Sequence, residues 1–246
     1  MIPDILLAIG IHAINIAVCV AMLVVASLMD IRRREVSDWV WVIAGAVGIG
    51  AMVIGVAYIP VLPVQSDESV IKYITSICIT APLAYIAYRW GLFGGADAKA
   101  LVVISILVPS YQMQYSIHGI PALTVLTNAS LLTIVNLLHN VARNSLAMLR
   151  GKDLFNGMDE PLHRKMLAFM LGFVTRPKGY MFALEEVRDG RRVLSLSPKA
   201  YSDFAGHDGE IWVTQALPFI IYITVGFVIM LCTGDLLAYL FHSLPV

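Results

Sequence analysis

The chain alternates long stretches without charge and short stretches dense in it. Uncharged runs come six times: Ile5–Met29, Trp39–Tyr58, Tyr73–Tyr88, Ala100–Ile117, Pro121–Ala142 and Ile211–Gly234. A bilayer core about 30 Å thick takes roughly 20 residues of helix. The first, second, fifth and sixth runs meet that length. The third and fourth reach it only by borrowing polar-ended neighbours such as Val70–Lys72 or Asp97–Lys99. Because the runs are continuous and do not alternate, a transmembrane barrel is excluded. Helices are then the only spans that satisfy their own backbone groups in lipid. The pattern predicts an all-α polytopic membrane protein of six transmembrane helices.

One segment breaks this pattern, and it divides the chain into residues 1–142 with five helices, 143–210 with most of the charge, and 211–246 with the sixth helix. Within the charged segment, "EPLHRKMLAFMLGFV" has a proline near its start, basic residues, then an apolar stretch, as an amphipathic surface helix does. The following "YMFALEEVRDGRRVLSLSP" predicts two short strands around an Asp189-Gly190 turn. The expected insert before the last helix is therefore small and mixed α/β, with little core of its own.

Composition agrees with the membrane reading. Hydrophobic residues make up 59% of the chain and charged ones 14%, against about 25% charged in ordinary soluble domains, and the mean hydropathy is +0.79. A formal net charge of +0 argues against nucleic acid as a partner. The first run lacks a basic start and ends in Asp30 and three arginines, so it predicts a retained helix and not a cleaved signal peptide. Arg32, Arg33, Arg34, Arg89, Lys99 and every basic residue from Arg143 to Lys199 fall on one side of the predicted spans, leaving only Lys72 on the other. The positive-inside rule makes the richer side cytoplasmic. Both termini then point outward, as do the turns around Pro60–Ser69 and Ser110–Ile120. Cys19, Cys78 and Cys232 lie in apolar runs without CxxC spacing and read as packing residues.

Candidate chemistry rests on three aspartates at span ends on the cytoplasmic side. Asp30 closes the longest uncharged run; it fits either a helix-end carboxylate paired with an arginine or a functional acid. Asp38 precedes "WVWV" and fits an N-cap or first-turn acid. Asp97 follows "FGGA" and opens the fourth span. Asp30 and Asp97 share one membrane face, and carboxylates at that depth mark function. Two acids that meet share a proton, since neighbouring like charges cannot both ionise. One then acts as a base on water and the other as an acid on a peptide carbonyl. No metal is called for: the six histidines are scattered without HExxH spacing. No GxSxG motif or phosphate loop is present either.

At these residues the chain resembles a known family. "DIRRREVSDWVW" after the first span and "GGADAKAL" before the fourth are similar to the archaeal type IV prepilin peptidases. These include the preflagellin (prearchaellin) peptidases of the GxGD membrane aspartyl protease family, peptidase A24. The similarity extends to "IPALTVLTN", which holds Pro121 and ends at Asn128, and to "EIWVTQALPFI", and covers nearly the whole chain in order. It implies Asp30 and Asp97 as the catalytic pair, with Gly94, Gly95 and Ala96 as the active-site loop and Lys99 as a basic residue just beyond. Arg32, Arg34 and Asp38 match the pattern after the first aspartate and are expected to hold the loops. Pro121 is explained as a helix start. Ala96 departs from the strict GxGD form, which has glycine there.

The resemblance also implies partners: archaellin and pilin precursors bearing class III signal peptides, cut at the cytoplasmic face, with the lipid bilayer around the enzyme. Asp159, Glu160, Glu185 and Glu186 are candidate partners for the substrate's basic head, beside the reading that they are solvated surface acids. No cofactor is implied. Bacterial relatives often add N-methylation through a region with paired cysteines; nothing here resembles it, so no methyltransferase activity is expected. The alternative from another class is a small transporter or channel whose aspartates relay protons or cations.

Overall fold

The computed structural model describes residues 2–58, 65–176, 181–188, 191–200, 209–215 and 218–243. They form two compact units, residues 1–132 with 218–246, and residues 133–217.

The first unit is helical: α1 (Ile2–Arg33), α2 (Asp38–Tyr58), α3 (Gln65–Arg89), α4 (Gly95–Leu107), the first part of α5 (Pro121–Leu149), then α7 (Phe219–Cys232) and α8 (Leu236–Ser243), with α6 belonging to the second unit. Arg32 and Arg33 sit in the last turn of α1, where cations complement the helix dipole. The helix then ends at Arg34, which takes a left-handed conformation (φ 57°) and returns its N–H to the Asp30 carbonyl at 3.0 Å. α4 is the hub of the unit and packs against α1, α2, α3 and α7. Ala100, Leu101, Ile104 and Leu107 are its buried face. Apolar residues all round suit a helix enclosed by other helices.

Among the described residues, four helices are long and apolar enough to cross a membrane: Ile9–Arg33, Asp38–Gly55, Ile71–Arg89 and Pro121–Leu149. The other two expected spans are shorter than the uncharged runs that predict them. α4 stops at Leu107, and Val108–Ile117 is not helical. Pro109 disfavours helical geometry at the residue before it, and Val108 accordingly leaves the helix at φ −130°, ψ 68°. The run Ile211–Gly234 is divided, since Ile211–Gln215 is a strand and the helix begins at Phe219. Of the expected Pro60–Ser69 turn, residues 60–64 lie outside the described residues, and Gln65–Ser69 already belong to α3.

Polar ties fasten this unit. Ser27 of α1 and Thr224 of α7 share a hydrogen bond of 2.8 Å. Near the start of α5, buried Asn128 donates to the carbonyls of Gly226 (3.3 Å) and Gly234 (3.0 Å) and accepts from the Leu236 N–H (2.8 Å). Gly226 permits this approach: a Cβ there would lie 2.9 Å from the Val125 carbonyl oxygen. Gly234 is more constrained, with φ +91° and a Cβ site only 2.1 Å from the Tyr115 carbonyl oxygen. That oxygen accepts the Asp235 N–H at 2.8 Å. Asp235 is fully buried; its Oδ1 takes the Leu237 and Ala238 N–H groups, and its Oδ2 lies 3.9 Å from His118 Nε2. Burial holds His118 below its ordinary imidazole range, against the opposing pull of Asp235.

The second unit holds the last part of α5, α6 (Leu162–Leu171) and a four-stranded antiparallel sheet. Its strands are β1 (Phe173–Thr175), β2 (Met181–Arg188), β3 (Arg191–Ala200) and β4 (Ile211–Gln215), in spatial order β1-β4-β2-β3. The Asp189-Gly190 turn between β2 and β3 lies outside the described residues. Trp212, Leu184, Leu194 and Ala168 form its core with Leu154 and Met158. Two of the acids offered above as docking groups are internal braces instead. Glu185 takes both arms of Arg192 and the Trp212 N–H, and Glu160 takes Arg164 and the Leu194 N–H.

Candidate active site

Asp30 and Asp97 come from different helices, near the C-terminus of α1 and in the first turn of α4. Both helix ends lie at the same end of the first unit, close enough for the charge of Asp30 to act on Asp97. Asp30 is half-buried, whereas Asp97 is only 7% exposed. The Asp97 carboxylate lies within electrostatic reach of Asp30, and Asp30 within reach of Arg34. No hydrogen bond joins the two carboxylates among the described residues.

Local sequence explains how Asp97 is held. Gly94 is the N-cap of α4, and its N–H donates to Asp97 Oδ2 at 2.8 Å, so the aspartate closes the first turn of its own helix. A Cβ at Gly94 would stand 3.2 Å from that oxygen, and one at Gly95 would stand 3.5 Å from the Tyr88 ring. The glycine pair therefore accommodates the cap on one side and α3 on the other. Ala96, at the position where the strict motif has glycine, is partly buried against the apolar core.

The two motifs are tied directly. Lys99, two residues beyond Asp97, forms an ion pair of 2.5 Å with Asp38, the first residue of α2 and eight beyond Asp30. Asp38 is thus a first-turn acid with a partner on another helix. Arg34 stands in the turn between Asp30 and Asp38. Arg32 is exposed in the last turn of α1. Pro121 opens α5 past the loop that leaves the opposite end of α4, so it stands apart from the aspartates.

A cleft of about 410 Å3 borders this region, lined by Trp41, Ala84, Tyr88, Gly95, Lys99 and Val102, among others. It lies on the face of α4 away from Asp97, which is two residues from both Gly95 and Lys99 on a helix that turns about 100° per residue. No group of three or more His, Cys, Asp or Glu among the described residues is placed to hold a metal ion. Sequence reasoning missed Asn128 and Asp235, the buried polar groups at the other end. The one signal for them was a polar residue inside, and just after, an apolar run.

Comparison with known proteins places this arrangement. Residues 17–138, which contain both aspartates, match the model of the Type IV leader peptidase family. Residues 178–236 match that of the archaeal Peptidase A24 C-terminus, Type II. A preflagellin peptidase of Methanocaldococcus jannaschii is 25% identical over 239 residues, covering 94% of this chain and 98% of the relative. A preflagellin peptidase of Methanococcus voltae is 26% identical over 231 residues, covering 87% and 92%. The protein is therefore a protease built on membrane-type helices. The chain belongs to the Type IV leader peptidase family, with the archaeal form of its C-terminal region.

Proposed function

We propose that this peptidase removes class III signal peptides from archaellin and type IV pilin precursors at the cytoplasmic face of the cell membrane, with Asp30 and Asp97 as the catalytic pair. The observation that carries the reading is the meeting of two acids from separate helices, one almost fully buried and within electrostatic reach of the other. The likeness to preflagellin peptidases along nearly their whole length supports the substrate class. The six-span arrangement with both termini outward belongs to the same proposal, and it puts the aspartates on the side where the basic residues concentrate.

The chemistry follows from the geometry. Gly94 occupies Asp97 Oδ2, and Oδ1 has no hydrogen-bond partner among the described residues, which leaves it for water or substrate. One carboxylate is ionised and removes a proton from water; the other is protonated and donates to the scissile carbonyl oxygen. Water oxygen bonds to the carbonyl carbon, giving a tetrahedral diol. When the C–N bond breaks, the first acid passes its proton to the leaving amine, and the second recovers its own as the carbonyl re-forms. Such proton transfers supply about 10²–10⁴-fold each. Bringing the two carboxylates onto one water and one carbonyl belongs to substrate binding. The Asp38–Lys99 pair, which joins the two motifs, limits how far they separate.

The test is reconstitution with a precursor carrying a class III signal peptide. Wild-type protein cuts it, and Asp30→Asn and Asp97→Asn do not. Processing that persists in both variants would remove the pair from the mechanism, and failure of wild type to cut would remove the substrate class.

A further inference from the structure

Helix α6 presents its apolar side outward. Leu162 is 73% exposed, Met166 56%, Leu171 44% and Leu167 40%. At about 100° per residue these four cover half the helix circumference, with His163 the one polar residue among them. The inward side holds Ala168 and Phe169, packed on the core, and the helix's two cations are engaged locally. Arg164 pairs with Glu160 at 3.0 Å, and Lys165 lies 5.7 Å from the centre of the Phe155 ring. A continuous exposed face of this kind marks a binding surface, unlike scattered single residues.

Contacts within the same unit locate that face. Asn144 of α5 donates to the carbonyls of Phe169 (2.8 Å) and Gly172 (2.7 Å), and Asn140 donates to that of Met170 (3.2 Å). The C-terminal end of α6 is therefore level with Asn140–Asn144. Counting roughly 20 residues from Pro121 for one bilayer core ends at Asn140, whereas α5 runs on to Leu149. The asparagines thus stand at the boundary of the hydrocarbon, bracketed by exposed Leu138 and Leu146, with exposed Arg143 and Arg150 close by. They also supply donors to helix-end carbonyls that would otherwise need water.

We infer that α6 lies in the membrane interface, its Leu162–Met166–Leu167–Leu171 face in the acyl boundary, and moors the charged insert to the bilayer surface. The occupant is lipid, because this exposed apolar face is fastened to a membrane-crossing helix at the depth where its span ends, and exposed arginines lie nearby on that helix. This rests on α5 crossing the bilayer and not on the peptidase site.

The test uses the full chain in vesicles of phosphatidylcholine and phosphatidylglycerol, with Cys78 and Cys232 replaced by alanine and buried Cys19 retained. An environment-sensitive fluorophore is placed at Met166→Cys, Leu171→Cys or, as the water-facing comparison, Arg188→Cys on β2. Lipids carrying a nitroxide near the headgroup should quench the first two about threefold more than the third, and more than lipids with the nitroxide at the chain end, as expected for a helix about 5–10 Å deep. Equal access of aqueous iodide to all three sites overturns the inference. So does protection from iodide without nitroxide quenching, which assigns the face to a protein or a second copy. Should labelling disturb folding, a photoreactive lipid with its group near the headgroup should tag peptide 162–171 of the unmodified chain; absence of adducts there overturns it equally.

Discussion

The helical unit holds a buried aspartate at each end, and the two differ in their company. Asp97 caps α4, and Asp235 caps α8 through two N–H groups. Each follows a glycine-containing break in the chain. Asp235 is the more deeply buried, at 0% against 7% exposure. Its neighbours are a histidine and the backbone turn that Asn128 braces. Among the described residues each acid leaves one oxygen without a hydrogen bond, but Asp97 has a second acid within electrostatic reach where Asp235 has a histidine. Burial alone therefore does not distinguish the two carboxylates. An acid with its cap satisfied and a like charge nearby is poised to exchange a proton.

The sharpest way to break this contrast is to neutralise each acid in turn. Asp30→Asn and Asp97→Asn should each lower precursor cleavage by about 10³-fold or more, while Asp235→Asn should hold turnover within a few-fold of wild type. A variant Asp235→Asn as dead as Asp97→Asn would erase the distinction. Gly234→Val attacks the other end. With φ +91° and a Cβ site 2.1 Å from a carbonyl oxygen, it should cost about 3 kcal/mol or more of stability, read as a lowered unfolding midpoint in detergent. Asn128→Leu leaves two carbonyls and one N–H without their partner and should cost about 2–3 kcal/mol. Cleavage per folded molecule should stay close to normal in that variant.

Smaller effects sharpen the picture. Asp38→Asn or Lys99→Met removes an exposed ion pair worth about 0–1 kcal/mol in itself, so cleavage should fall by no more than about tenfold. The exchanged pair Asp38→Lys with Lys99→Asp should recover part of that loss; no recovery would mean the two act separately. The acids also predict a bell-shaped pH–rate profile, because activity needs one proton on the pair and fails with none or two. His118 gives the weakest signal. Burial lowers its folded-state basicity, so its contribution is present above the ordinary imidazole range and is lost as pH falls through the lowered value. His118→Gln should flatten that acid-side loss of stability without shifting the rate profile.

Much of this architecture was legible in the sequence, and the gaps have physical causes. Long uncharged runs mark helices reliably because length alone separates a span from a buried strand. The same rule failed at Ile211–Gln215, five apolar-rich residues that pair in a sheet while touching a helix in sequence. Pro109 was visible inside the fourth run, yet hydropathy alone carries no weight for what proline does to its neighbour. Asp30, Asp97, Asp38 and Lys99 stood out as charges at span ends. That Lys99 reaches Asp38, or that Glu185 serves Arg192 and Trp212, depends on partners chosen by the fold. Asn128 bonds to groups 98 to 108 residues away, and no local pattern announces such a partner.

Those long separations bear on how the molecule is made. Ser27 enters the membrane with the first helix, but Thr224 follows 197 residues later. Asn128 likewise waits for residues 226–236. During synthesis both polar side chains are without these partners until residues 224–236 have been made. The segment from Phe219 onward is therefore the bolt that locks the earlier helices, and a chain halted before Phe219 would carry the aspartates in a bundle still without these ties.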